Sequence, residues 1–136
     1  MVQLIVSSGE GAKAVLESGD IIRCLAASEN GAGVNRTLHD TSTHGNYTPA
    51  AGRKFISLTL AYQCWNAAAS AGLIDSAAVD SAVGDNIIAG TNDLNMDAGS
   101  SGNIPMYHEL AAGRYLNLAI GAGMPTFVIV GVETDT

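Results

Sequence analysis

The sequence is short of charge, and of positive charge most of all. Charged residues make up 14% of its 136 residues, against about 25% in a typical soluble domain. Six lysines and arginines face thirteen acids, for a net charge of −7. Lys13, Arg23, Arg36, Arg53, Lys54 and Arg114 are scattered apart from one adjacent pair. Nucleic-acid binding needs a basic stripe that replaces counterions on phosphate, so no nucleic-acid partner is expected. No apolar run approaches the length of a membrane span. The opening "MVQLIVSSGEG" lacks the basic stretch and long apolar stretch of a secretory signal. No membrane association is expected either.

The residues that carry most chemistry are also few. Cys24 and Cys64 sit inside apolar runs, with no CxxC and no Cys/His cluster. They read as small buried hydrophobes rather than zinc ligands, and one bridge between them stays open. The three histidines, His39, His44 and His108, include no His-x-His of a cupin metal site. No Gly-x-Ser-x-Gly elbow occurs. Aromatic residues are 5% of the chain, so a carbohydrate platform would have to draw on Trp65, Tyr47 and Tyr107. The expectation is a protein that is not an enzyme and carries no cofactor.

One stretch invites a metal reading. "DLNMDAG" sets oxygens at alternate positions, Asp93, Asn95 and Asp97, as calcium loops do. The EF-hand form needs glycine at position six and glutamate at twelve; here those are Ala98 and Ile104. A solvated Asp/Asn turn is the expectation, with these three residues as the only metal candidates.

Apolar residues are abundant at 47%, and the length fits a single domain spanning residues 1–136. A thin polar coat predicts that part of the surface is covered by another chain. From Phe55 the chain alternates: Ile56, Leu58, Leu60, Tyr62 and Cys64 against Ser57, Thr59, Ala61 and Gln63. Period two predicts a strand with one face in a core. "AAGRYLNLAI" then echoes "AAGRKFISLTL", with Leu116, Leu118 and Ile120 as its apolar set. In both copies glycine supplies a sharp turn into the strand. The predicted core is therefore Ile56, Leu58, Leu60, Tyr62, Leu116, Leu118 and Ile120.

"MPTFVIVGVETD" is apolar on both faces, the pattern of a strand covered on both sides. Further strands are expected at 2–6 and 21–27, and a weaker one at 33–40. A short helix is expected from Asp75 or Ser76 to Gly84, and a long polar loop over 91–103. Many short strands, glycine turns and little helix predict an all-β fold, an antiparallel jelly-roll-like sandwich.

"YTPAAGRKFISLTL" and "YHELAAGRYLNLAI…FVIVGVETD" resemble the turn-into-strand segments of small jelly-roll domains in bacteriophage particles, among them capsid decoration (cement) proteins and head-fibre or tail-associated domains. The likeness covers the two echoed strands and the last one. It implies a virion structural protein made in the host cytoplasm. Such a protein binds the outer capsid surface as a homo-oligomer, a trimer by this resemblance, and stabilises the shell of major capsid protein. It carries no catalytic residues to transfer. Tyr115, Phe127 and Ile129 are the expected oligomer contacts. The alternative is a jelly-roll binding module, on a fibre or tail, that recognises a glycan or host receptor.

Overall fold

The computed structural model describes residues 3–7, 11–65, 67–81, 86–88 and 94–136. Among them all regular structure is strand: β1 (Gln3–Ser7), β2 (Gly11–Val15), β3 (Ile21–Ser28), β4 (Asn35–Thr37), β5 (His39–Asp40), β6 (Arg53–Cys64), β7 (Ala69–Ser76), β8 (Asn86–Ile87), β9 (Leu94–Met96), β10 (Ser101–Ala111), β11 (Tyr115–Ala122) and β12 (Pro125–Asp135). β1 and β2 form a hairpin of their own. The first large sheet runs β10-β6-β12-β3-β5. The second runs β4-β11-β7-β8, with β9 also paired to β7. All pairings in both are antiparallel. The chain passes repeatedly between the two large sheets, as at β3–β4, β6–β7 and β10–β11. That crossing gives the jelly-roll-like sandwich the sequence predicts.

The core fills the space between the sheets. Leu25, Leu38, Phe55, Leu60, Leu73, Leu110, Leu116, Leu118, Phe127 and Ile129 are all shielded from water. Each such side chain contributes about 1.5–3 kcal/mol relative to its exposed state, before ordering entropy is subtracted. β11 follows period two throughout its apolar part: Leu116, Leu118 and Ile120 all point inward.

β6 obeys the same rule only from Leu60 onward. Leu60 and Cys64 are buried, and Tyr62 packs half-buried against them. Before that, the ladder slips. Val130 pairs with Thr59, but Gly131 pairs with Ser57, so Leu58 has no opposite residue on β12. This bulge exchanges the faces of the strand. Phe55 takes the core position, while Ile56 and Leu58, expected in the main core, lie on the opposite face with Val132.

Other expectations change with the structure. The weak strand at 33–40 is split: β4 joins the second sheet and β5 the first. Where the sequence predicts a helix, Asp75 and Ser76 end β7, and 77–81 is a bent segment; Gly84 lies outside the described residues. The polar loop at 91–103 holds β9 and the start of β10. Phe127 and Ile129 are 0% exposed within one chain, so they are core and not oligomer contacts. Alternation leaves open which face of β12 is internal, and Phe127 and Ile129 occupy it.

Candidate functional site

Each AAGR echo builds the same turn. Arg53 N–H donates to Ala50 O at 3.0 Å and Arg114 N–H to Ala111 O at 3.2 Å. Gly52 and Gly113 both have φ of 78°, as the third residue of a type II turn requires. The arginine after each glycine then reaches a buried carboxylate on the neighbouring strand. Arg53 Nε donates to Glu133 Oε2 at 3.0 Å, and another of its nitrogens to Asp135 at 2.6 Å. Arg114 Nε donates to Asp75 Oδ1 at 2.5 Å. Arg53 stands opposite Asp135 and reaches two residues inward to Glu133. Arg114 precedes Tyr115, which stands opposite Ser76, and reaches Asp75 in the same diagonal sense. The echo is thus a turn plus a charge clamp, one for each sheet.

Both carboxylates are held by several groups. Tyr47 O–H donates to Glu133 Oε1 at 2.6 Å, and Arg23 approaches Glu133 at 3.5 Å and Asp40 at 2.9 Å. Arg23 also lies over the Tyr47 ring, 5.7 Å from its centre. Burial alone would raise the Glu133 pKa. The Tyr47 hydroxyl and the arginines outweigh it and hold Glu133 below the ordinary glutamate value. Burial, then the bond to Glu133, pushes the Tyr47 pKa far up. Asp75 follows the same pattern: burial would raise it, while His108 and Arg114 bring it below the ordinary aspartate value. Thr43, Asn46 and Pro49 join Arg23, Tyr47 and Glu133 around an open cleft of about 300 Å³.

Serine, histidine and aspartate do converge at one place. His108 Nε2 lies 2.7 Å from Asp75 Oδ2, and Ser57 pairs across the ladder with His108. The geometry is that of a brace between sheets. Ser57 is 0% exposed and donates to the His108 carbonyl at 3.2 Å. A nucleophile must instead meet substrate with its hydroxyl on the imidazole. Asp75 belongs to the second sheet and His108 to the first, so the pair ties the layers together.

The metal candidates separate. Asp93 lies outside the described residues. Asn95 in β9 and Asp97 beyond it are exposed. Asp97 O accepts from Ser100 N–H at 3.0 Å, closing a turn. Among the described residues no group of three His, Cys, Asp or Glu side chains is placed to hold an ion.

The aromatic trio does not converge. Tyr47 is buried edge-on to Phe55, with ring centres 5.4 Å apart. Trp65 is exposed just past the other end of β6, and the ten residues from Phe55 to Trp65 span roughly 33 Å at strand rise. Tyr107 is exposed along β10.

The two outer faces of the sandwich differ. The outer side of the second sheet is closed by segment 77–81. Asn117, 0% exposed, donates to Ala78 O at 2.9 Å and Ser81 O at 2.8 Å. Its Oδ1 accepts from Thr37 Oγ1 at 2.7 Å, and Asp80 N–H donates to Thr37 Oγ1 at 2.7 Å. Tyr115, an expected oligomer contact, is half-buried at the start of β11 on that sheet. The outer side of the first sheet carries an apolar stripe instead. Alternation with the core residues places Ile22, Cys24 and Ala26 of β3 there, beside Val128, Val130 and Val132 of β12. Leu58 and Ala61 of β6 continue it, while at one end Ile56 and Val132 are already buried within the chain. Ile22 is 63% exposed and Val130 37%. Nothing in the alternating pattern of β12 says which valines face out; the internal position of Phe127 decides it.

No protein-family model, curated protein or solved structure matches the chain.

Proposed function

We propose that this chain is a virion structural protein of the capsid decoration type. In this reading it associates with its own copies, a trimer being the expected number. It binds the outer surface of a shell of major capsid protein and stabilises that shell. The carrying observation is the uncharged apolar stripe on the outside of the first sheet, with Ile22 and Val130 open to water. The turn-into-strand resemblance points the same way. The charged side chains of both clamps are occupied in bracing the sandwich, which suits a rigid scaffold better than a site that turns over substrate. Many modest contacts made together by an oligomer give high avidity for a repeating lattice. The rival reading, a glycan or host-receptor module, loses its aromatic platform, because Trp65, Tyr47 and Tyr107 stand apart.

The test is a count. Quantitative mass spectrometry of purified particles should find the chain in fixed ratio to the major capsid protein. Its absence from intact particles contradicts the proposal.

A further inference from the structure

We propose that His39 and His44 together bind a divalent transition-metal ion of the kind that prefers imidazole, such as Zn²⁺. The two histidines lie in "HDTSTH" without the His-x-His spacing of a familiar metal motif. The fold brings them side by side, with ring centres 6.2 Å apart and planes tilted by 37°. The site is independent of the scaffold reading above, and neither result decides the other.

The loop that carries the pair is firmly held. His39 in β5 pairs with Ala26 of β3 on one side and bridges to Asn46 on the other. Asp40 ties the turn that follows. Its N–H donates to Gly45 O at 3.0 Å, and its carbonyl accepts from His44 N–H at 2.8 Å. Its carboxylate accepts from Ser42 N–H at 2.8 Å and from Arg23 of β3 at 2.9 Å. His44 then takes a φ of 60°. Glycine would adopt that conformation without strain. A strained residue enforced by its surroundings is a mark of functional sites.

The rings themselves are uncommitted. Among the described residues neither imidazole has a hydrogen-bond or ion-pair partner, whereas His108 is bound to Asp75. His39 is half-buried and His44 exposed, so an ion can enter from solvent.

The spacing suits one ion. Zn–N bonds of about 2.0–2.1 Å put each ring centre about 3.2 Å from the metal, so two rings on one ion have centres roughly 5.3 Å apart at the tetrahedral angle and at most about 6.5 Å apart. The observed 6.2 Å lies inside that limit, and a small rotation of the exposed His44 side chain closes the rest. Water fills the remaining positions. The chemistry also selects against hard ions. Mg²⁺ and Ca²⁺ seek carboxylate and carbonyl oxygen. Asp40, the only acid of the loop, has both oxygens taken by Arg23 and Ser42. The net charge of −7 favours the approach of any dication, but only the imidazoles discriminate.

The test is calorimetric titration of the unmodified chain with ZnCl₂ in excess Mg²⁺, repeated on His39→Gln and His44→Asn. Asparagine tolerates the left-handed conformation at 44, and circular dichroism reports whether each variant folds. One ion per chain should bind saturably, and acidification should weaken binding because the imidazoles must be neutral. Each variant should lose at least about tenfold in affinity, the cost of removing even a supporting group from a metal site. Absence of saturable binding, loss of binding to Mg²⁺, or full affinity in either folded variant would overturn the site. If the variants fail to fold, diethyl pyrocarbonate labelling of the unmodified chain decides. Zn²⁺ should protect His39 and His44 together and leave the labelling of His108 unchanged; protection of neither, or of one alone, overturns the site.

Discussion

Gly131 of β12 packs directly against the ring of Phe55 in β6. A Cβ at position 131 would stand 2.5 Å from Phe55 Cζ and closer still to the Ile56 carbonyl oxygen. The absent side chain lets Phe55 enter the core, and Phe55 enters there because the bulge at Leu58 exchanges the faces of β6.

Gly131→Ala should therefore destabilise the fold by about 1–3 kcal/mol, the usual cost of overpacking a filled core. Urea denaturation checks it. A midpoint equal to that of the unmodified chain would mean that Phe55 and the β6 backbone can give way.

The two AAGR turns should respond alike to the same substitution. Gly52 and Gly113 share a φ of 78°, and a Cβ added at either would meet nothing within 4 Å beyond its chain neighbours. Only backbone strain opposes alanine, so Gly52→Ala and Gly113→Ala should cost similar amounts, about 1–2 kcal/mol each. Thermal unfolding of the two variants reads this directly. A large effect at one position and none at the other would show that the turns are not equivalent.

The charge clamps set the acid limb of stability. Glu133 and Asp75 have folded-state pKa values below their ordinary ones. A depressed carboxylate contributes stability that is complete above its ordinary value and is lost as pH falls through the folded value. Stability should hold from neutral pH down to the ordinary carboxylate range near about 4, then fall. Glu133→Gln should destabilise at neutral pH, towards the lower end of about 3–5 kcal/mol, because Arg23 and Arg53 keep some access to water. It should also flatten the acid limb. Urea midpoints across pH test both parts, and an unchanged acid limb would show that Glu133 does not set it.

Asn117 holds segment 77–81 over the second sheet through two carbonyls and Thr37. Asn117→Ala removes three hydrogen bonds worth about 1 kcal/mol each. It should lower stability by roughly 2–3 kcal/mol and raise hydrogen exchange in 77–81 ahead of β11. Unchanged exchange there would show that the segment is held by something else.

The all-β class is legible in the sequence because period-two alternation is a local signal. Leu116, Leu118 and Ile120 report their face without help from the rest of the chain. The bulge is not legible: Leu58 looks like any other member of the β6 alternation, and only its pairing with β12 shows the extra residue. β12 poses a related problem. Phe127, Ile129, Val128 and Val130 are all good core residues, so composition does not say which pair faces out. Asp75 and Ser76 look like helix caps because caps and strand-terminal polar residues share chemistry. What distinguishes them is Arg114 and His108, distant in sequence, which claim the Asp75 carboxylate. The candidate surface is legible as an excess of apolar residues over charge, but its address requires the sheet order.

Self-association is tested most directly by sedimentation equilibrium of the unmodified chain at micromolar concentration. A stable oligomer is expected, with a mass that is a whole multiple of the chain and does not fall on modest dilution. A clean monomer under those conditions would contradict it.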